Sequence, residues 1–271
     1  MSSVTPKFLA PPLIETVLGV EFEPLSSWDI PHYGLFWQSI RQEYQNCIAK
    51  PPLISQLELI EPQETKAQDI LNLRVIEKPD VRCWYVNIKE DWLMQVQDSR
   101  FLHNWRKGNS PYPHYAQVKE RFLIAWNKFN EFLVSEGLPA PIIKQCEITY
   151  INHIELAENE SWEQLHQYFP SWTGNPSSPY LANPEAVVLQ SSYRLPENKG
   201  RLRIVMQPAI RHTDLKHVIQ LEVTVRVIMT PQDNLQANLD LGHEWVVNGF
   251  ADFTSTALHT LWKRKIEKDT Q

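Results

Sequence analysis

The sequence has few of the residues that form phosphate-binding loops, disulfide frameworks and thiolate metal sites. It contains 8 glycines and 3 cysteines in 271 residues. No GxGxxG or GxxxxGK[ST] pattern occurs, which excludes the common phosphate-binding loops. Cys47, Cys83 and Cys146 are widely spaced and form no CxxC pair. A disulfide framework and a thiolate zinc site are therefore disfavoured, and we predict buried, reduced thiols.

The chain also lacks long apolar runs and a strong charge of either sign. A membrane span requires about 20 consecutive apolar residues, and no run approaches that length. The first residues, MSSVTPKFLAPP, lack the charged start and apolar middle of a signal peptide. We therefore predict a cytoplasmic protein without a membrane partner. The net charge of −6 gives no general attraction to phosphate backbones, so nucleic acid is not an expected partner.

The motifs that imply a particular reaction are missing as well. The sequence contains no GxSxG elbow for a serine nucleophile. Its histidines show neither HExxH nor HxH spacing, so they do not predict a metal site. We assign no catalytic residue, and we predict neither a metal nor a cofactor.

What the chain does contain is aromatic residues and regular periodicity. Ten tryptophans and 20 prolines indicate a well-packed interior with stiff loops. A hairpin is predicted over residues 82–97, with its turn at Glu90. In its second strand Trp92, Met94 and Val96 share one face, and Gln95 and Gln97 lie on the other. This period of two directs one face toward a core and leaves the other polar.

Periodicity and turn residues predict the remaining elements. In chain order these are an extended arm to residue 12, a strand at 13–22, a helix at 32–48, strands at 53–60, 70–77, 82–89 and 92–97, a helix at 114–136, a strand at 145–156, a short helix ending near 168, strands at 186–195, 202–209 and 217–229, and a helix at 240–263.

The same order of elements occurs twice, as strand, helix, three or four strands and long helix. We predict an α+β protein with two similar halves, residues 1–138 and 139–271, in which a curved antiparallel sheet carries its helices on one face. This arrangement resembles that of the TATA-binding protein in architecture only. Fold does not imply function, so no nucleic-acid role follows from it.

Residues 98–107 form a polar and aromatic exit from the hairpin. Arg100, Asn104 and Arg106 supply hydrogen-bond donors, and Trp105 supplies a stacking surface. This combination suits recognition of a carboxylate, a phosphate or a base. The alternative is that the aromatic side chains anchor a loop in the core while the arginines bond neighbouring carbonyls.

Glutamates interrupt several apolar strands. Glu15 and Glu147 lie inside LIETV and CEITY, and Glu222 lies on the same strand face as Arg226. An unpaired buried carboxylate is costly, so each glutamate should face solvent or bond an arginine such as Arg226. Cross-strand ion pairing is the structural interpretation. Acid–base chemistry or a divalent ion is the functional one.

Several stretches together resemble an uncharacterised, sporadically distributed prokaryotic protein family. They are PPLIETVLGVEFEP, DSRFLHNWRK followed by YPHYAQVKERF, CEITYINHI and LGHEWVVNGFADFTSTALHTLW. The resemblance implies no activity, cofactor or catalytic residue. The sporadic distribution suggests a defence or toxin–antitoxin locus. The residues that correspond position by position are Arg100, Phe101, Asn104, Trp105, Arg106, Glu147, Tyr150 and Asn152.

These features favour a non-enzymatic binding protein that uses a polar sheet face and residues 98–107 to hold a protein partner or a small anionic ligand. The alternative is a metal-assisted hydrolase or nuclease that uses Glu15, Glu147 and Glu222. The sequence does not determine the oligomeric state. The predicted ligand-binding residues are Arg100, Asn104, Trp105, Arg106, Glu147, Tyr150, Glu222 and Arg226.

Overall fold

The computed structural model describes residues 5–58, 81–108, 111–155, 165–172, 180 and 184–265. This part of the chain contains a nine-stranded sheet, a two-stranded ribbon and five α-helices. Every strand pair in it is antiparallel. The predicted α+β class is confirmed.

The described residues form eleven β-strands and five α-helices, in the following order along the chain. They are β1 (Lys7–Phe8), β2 (Leu13–Phe22), α1 (Ile30–Ile40), β3 (Asn46–Lys50), β4 (Arg82–Val86), β5 (Trp92–Gln97), β6 (Arg100–Arg106), α2 (His114–Ser135), β7 (Ile143–Ile154), α3 (Leu165–Tyr168), β8 (Leu189–Arg194), β9 (Gly200–Ile210), β10 (His217–Ile228), α4 (Leu235–Phe253), α5 (Thr256–Leu261) and β11 (Arg264–Lys265).

The large sheet has the strand order β3-β4-β5-β6-β2-β7-β10-β9-β8. Strands β2 and β7 join at its middle, where Leu18 pairs with Ile148 and Gly19 with Glu147. The sheet therefore runs without a break across residue 138, where we divide the chain into halves. That division stays a prediction.

Helices α2 and α4 cover the same face of this sheet. The Phe101 ring of β6 lies 5.3 Å from the Trp126 ring of α2. At Gly242 of α4, a β-carbon would overlap the Ile148 side chain of β7, so glycine is what lets α4 approach the sheet closely. Because side chains alternate along a strand, the opposite face carries odd-numbered residues of β2 and β7 and even-numbered residues of β6 and β10. We call this the open face.

Three of our predicted elements differ from the structure. The 98–107 segment is not an exit loop, because residues 100–106 form β6 near the middle of the sheet. The first helix ends at Ile40, and Asn46–Lys50 is a strand. The last helix is broken at Thr254, whose extended backbone precedes the Ser255 cap of a separate helix. The two helix boundaries were misplaced because apolar spacing continues past residues 40 and 254, and only tertiary contacts define where these helices end.

Further predictions concern two strands and the three cysteines. The strand expected at 53–60 is absent from its described part, residues 53–58. The strand expected at 70–77 lies outside the described residues. Cys83 and Cys146 are buried as expected, whereas Cys47 is exposed because its strand β3 is an edge of the sheet. None of the described helices is long and apolar enough to span a bilayer.

Helix α1 begins with a capping box. The Asp29 carboxylate accepts hydrogen bonds from the helix start, and the backbone N–H of Asp29 donates to His32 Nδ1 at 2.9 Å. We expect Asp29→Ala to lower the free energy of unfolding by about 1 kcal/mol, because an orphan N–H loses its acceptor. Asp29→Asn keeps an acceptor and should cost much less. Urea denaturation of both variants checks this, and equal losses would contradict the cap.

Candidate functional site

The predicted arginines on the open face are bonded to carboxylates of the protein itself. Arg100 Nη2 lies 2.5 Å from Glu21 Oε2, and the two side chains are 7% and 5% exposed. Arg226 Nε lies 2.5 Å from Glu147 Oε2, as the structural interpretation of Glu147 expected. The charges of Arg100 and Arg226 are therefore already compensated by carboxylates of the protein itself.

Arg106 and Asn104 share the carboxylate of Glu15. Arg106 Nε donates to Glu15 Oε1 at 3.1 Å, and Asn104 Nδ2 donates to the same oxygen at 2.6 Å. The Arg106 side chain is 31% exposed. Its guanidinium lies 4.7 Å from the ring centroid of Trp84. Arg106 is thus the most accessible of the predicted arginines, and it is held between a carboxylate and an indole.

The three glutamates of the metal-assisted alternative do not converge. Ile151 of β7 lies between Glu15 on one side and Glu222 on the other, which separates their strands by about 10 Å. Glu147 lies four residues from Ile151 along β7. Burial raises the pKa of Glu222, and the Thr224 hydroxyl opposes that shift. Within the described ranges, no three His, Cys, Asp or Glu side chains are grouped so that they could hold a metal ion.

A pocket of about 670 Å³ lies on the helix-covered side, at one end of the sheet. Its floor includes Trp105 of β6 and Tyr150 of β7, which we predicted as ligand-binding residues. Tyr112, which precedes α2, and Tyr115, in the first turn of α2, also line it, and His243 lines it from α4. We call this cavity the aromatic pocket.

The N-terminal arm forms one wall of the aromatic pocket. Strand β1 pairs with β11, Lys7 opposite Lys265, and Leu9 N–H donates to the Lys263 carbonyl at 3.2 Å. The Phe8 ring packs edge-on against Phe250 at 5.4 Å. The arm is therefore attached by backbone hydrogen bonds and by an aromatic anchor.

A chain of hydrogen bonds crosses the pocket floor. The hydroxyls of Tyr112 and Tyr150 are 3.0 Å apart, and the Tyr150 hydroxyl lies 3.0 Å from His243 Nδ1. The His243 ring stacks on Tyr115 with centroids 3.7 Å apart and planes 5° from parallel. The Tyr115 hydroxyl in turn donates to Asp240 at 3.0 Å. These contacts hold the two tyrosines and the imidazole in one arrangement.

Burial keeps this chain uncharged near neutral pH. It lowers the pKa of His243 to about 4, against the opposing effect of Asp240. It raises the pKa of Tyr112 to about 12 and that of Tyr150 well above its usual value. A neutral imidazole either accepts at Nδ1 or donates there, depending on its tautomer. The chain can therefore present Tyr112 to the pocket as a hydrogen-bond acceptor or as a donor.

The lining of the aromatic pocket is positively charged. Lys7, Lys107 and Lys265 lie along it, and no carboxylate does, among the residues that the structure describes there. This contrasts with the net charge of −6 of the whole chain. A local excess of cations in an acidic protein favours anions at that position.

No family model, no curated protein and no solved structure matches this chain. The resemblance to the prokaryotic family described above therefore stays a prediction.

The structure divides the predicted ligand-binding residues between two places. Trp105 and Tyr150 line the aromatic pocket, and the other six lie on the open face, because neighbours in a strand point to opposite sides. Tyr112, Tyr115 and His243 are pocket residues that we did not predict. The two tyrosines stand beside Pro111 and Pro113, which is a weak signal in the sequence, and His243 carries none.

Proposed function

We propose that this chain is a non-enzymatic binding protein that holds a small anionic ligand with an aromatic body in the aromatic pocket. The observation that carries the proposal is the combination of aromatic walls with Lys107 and Lys265 and no carboxylate among the described lining residues. Aromatic walls bind a planar body by stacking and edge contacts. The lysines then select ligands that carry a negative charge.

The size and polarity of the pocket support this proposal. A volume of about 670 Å³ falls within the roughly 300–1,000 Å³ of small-molecule sites. Such sites combine apolar walls with a few fixed polar groups that orient the ligand. Here the Tyr112–Tyr150–His243 chain provides those groups.

The proposal retains a role for residues 98–107. Trp105 and Lys107 both line the aromatic pocket, so one strand supplies a stacking surface and, directly after its end, a cation. The two arginines of that strand point to the open face and compensate Glu21 and Glu15. The recognition of an anion is thus assigned to the lysine rather than to the arginines.

We also propose that the fold consists of two similar halves in an arrangement like that of the TATA-binding protein. The strand order supports it. Within the large sheet, the first strand of the N-terminal half, β2, pairs with the last strand of that half, β6. In the C-terminal half the first strand, β7, likewise pairs with the last, β10. The two first strands then pair with each other at the middle of the sheet. A superposition of the halves tests this proposal.

Two dyes that differ by one charge test the binding function. 1-Anilinonaphthalene-8-sulfonate carries a sulfonate, whereas N-phenyl-1-naphthylamine has the same rings and no charge. We expect the sulfonate to bind the wild type at one site. The Lys107→Gln/Lys265→Gln variant should bind it about 10-fold more weakly, because two partly exposed charges contribute about 1.4 kcal/mol together. Affinity for the neutral dye should not change.

Two control variants test whether this loss of affinity arises in the aromatic pocket. Lys144→Gln/Lys199→Gln removes two lysines that pair with Glu23 and Glu197 on the surface, and it should leave both affinities unchanged. Val247→Trp places an indole in the pocket lining and should abolish binding of both dyes. Equal affinity of the two dyes for the wild type, or binding that survives Val247→Trp in a folded variant, would contradict the proposal.

A further inference from the structure

Residues 51–58 cross the open face of the sheet without joining it as a strand. We call them the cross-face segment. Its start contacts Gln97 of β5, its middle contacts Glu21 of β2, and its end contacts Gln145 of β7 and Arg201 of β9. A short extended segment thus spans much of the sheet's width. This crossing explains why several polar groups on the open face are buried.

Two glutamine side chains bind the backbone of the cross-face segment. Leu53 N–H donates to Gln97 Oε1 at 3.0 Å, and Gln97 Nε2 donates to the Leu53 carbonyl at 3.1 Å. Gln145 repeats this with Glu58 N–H at 3.0 Å and the Gln56 carbonyl at 3.2 Å. A side-chain amide that pairs with both groups of a peptide backbone recognises an extended chain irrespective of its side chains.

Two side chains of the segment add sequence preference. The Ser55 hydroxyl donates to Glu21 Oε1. Three residues later, the Glu58 carboxylate lies 2.6 Å from Arg201 Nη1 and 3.5 Å from Arg226 Nη1. The open face therefore binds a hydroxyl and a carboxylate at a fixed spacing in an extended chain.

Apolar burial contributes little to this attachment. The Ile54 side chain is 85% exposed and that of Leu57 is 46% exposed. A connection with a purely structural role would bury such side chains, because apolar burial is the main favourable term in folding. The attachment of the segment therefore rests on its polar contacts, above all on the Glu58 carboxylate, whose side chain is 6% exposed.

We propose that the open face is a binding groove for an extended peptide of a protein partner, and that the cross-face segment occupies it as an internal mimic. The partner peptide carries serine or threonine followed three residues later by an acidic residue. The glutamines specify a peptide, since they pair with an amide N–H and a carbonyl together. Displacement removes the Glu58 carboxylate from Arg201 and Arg226, and although Arg226 keeps Glu147, a peptide that carries its own carboxylate restores the lost contacts and is favoured.

The groove and the aromatic pocket lie on opposite faces of the sheet, and the inference does not depend on the pocket. In the wild type the internal segment competes at an effective concentration on the order of millimolar. A free peptide therefore binds measurably only when the internal contact is weakened. That competition gives the inference a direct test.

The test uses a fluorescein-labelled peptide of residues 51–58, PPLISQLE, in anisotropy titrations. Glu58→Ala should bind this peptide at least 10-fold more tightly than the wild type does, because the internal segment then lacks its carboxylate. The peptide with Glu58→Gln should bind that variant about 10-fold more weakly than the unchanged peptide. Glu58→Ala/Arg201→Gln should weaken binding of the unchanged peptide by a similar factor.

Circular dichroism first establishes that each variant is folded. Should Glu58→Ala fail to fold, Glu58→Gln takes its place, because it keeps the side-chain shape and removes the charge. The inference is overturned if the peptide binds neither the wild type nor the folded Glu58 variant. It is also overturned if the peptide binds both with equal affinity, since the internal segment then does not occupy the binding site.

Discussion

Arg100→Met is expected to lower the free energy of unfolding by about 3–5 kcal/mol, because it leaves the Glu21 carboxylate buried without its cation. The Glu21 side chain is only 5% exposed, and its Oε2 lies 2.5 Å from the Arg100 guanidinium. Within the described ranges, the remaining donors to this carboxylate are neutral, namely Gln145 Nε2 at 3.0 Å and the Ser55 hydroxyl. Urea denaturation at pH 7 measures the loss.

The matched control removes both charges. Glu21→Gln/Arg100→Met keeps a carbonyl that accepts from Gln145 and eliminates the uncompensated charge. We expect this double variant to recover most of the stability that the single variant loses, because a buried ion pair contributes little net free energy compared with neutral groups of similar shape. A loss below 1 kcal/mol in the single variant would show that solvent reaches Glu21.

Acidification from pH 7 to pH 4 is expected to cost the protein about 3 kcal/mol through His103 alone. This side chain is fully buried, with Nε2 2.8 Å from the Tyr44 hydroxyl and with no hydrogen-bond partner for Nδ1 among the residues that the structure describes. Burial is the largest of the effects that lower its pKa to about 3, and the charges of Arg121 and Lys128 act in the same direction. His103 is therefore neutral in the folded protein.

The direction of the effect follows from the two pKa values. In the unfolded chain the histidine pKa is near its ordinary value of 6.5, so the imidazole is protonated below that pH. In the folded protein His103 stays neutral down to about pH 3. The stability contributed by His103 is complete above pH 6.5 and is lost between pH 6.5 and pH 3.

A non-titrating variant isolates the His103 contribution from that of the other groups. His103→Gln keeps a polar group near the Tyr44 hydroxyl and shares every remaining titratable residue with the wild type. We expect the wild type to lose about 3 kcal/mol more between pH 7 and pH 4 than this variant does. Parallel pH profiles of the two proteins would mean that His103 is protonated within the fold.

Period-two alternation in the sequence predicted much of the sheet correctly. Strand β5 has the predicted limits, Trp92–Gln97, and α2 ends one residue before the prediction. The same alternation is present in residues 100–106, where Phe101 and Trp105 face the helices and the arginines face away. We predicted a polar and aromatic exit from the hairpin there, and not a strand. Their charges are tolerated because Glu21 and Glu15 lie opposite them on β2.

The candidate site was less predictable from the sequence. Trp105 and Tyr150, which line the aromatic pocket, were among the residues predicted from the sequence, but Tyr112, Tyr115 and His243 were not. His243 is 93 residues from its hydrogen-bond partner Tyr150 along the chain. Local periodicity says which face of an element is apolar, and it contains no information on which distant element covers that face.

The sequence by itself determined the α+β class, most of the strands and their two faces, and the long helix α2, because each follows from the spacing of apolar residues within one element. Only the tertiary structure decided that Trp105 and Lys107 lie at a pocket while Arg100 and Arg106 lie on the other side of the sheet. It also decided that residues 51–58 cover that side. Such placements depend on pairing between elements far apart in the chain, where the energies of packing and charge compensation are set by the assembled sheet and not by any one segment.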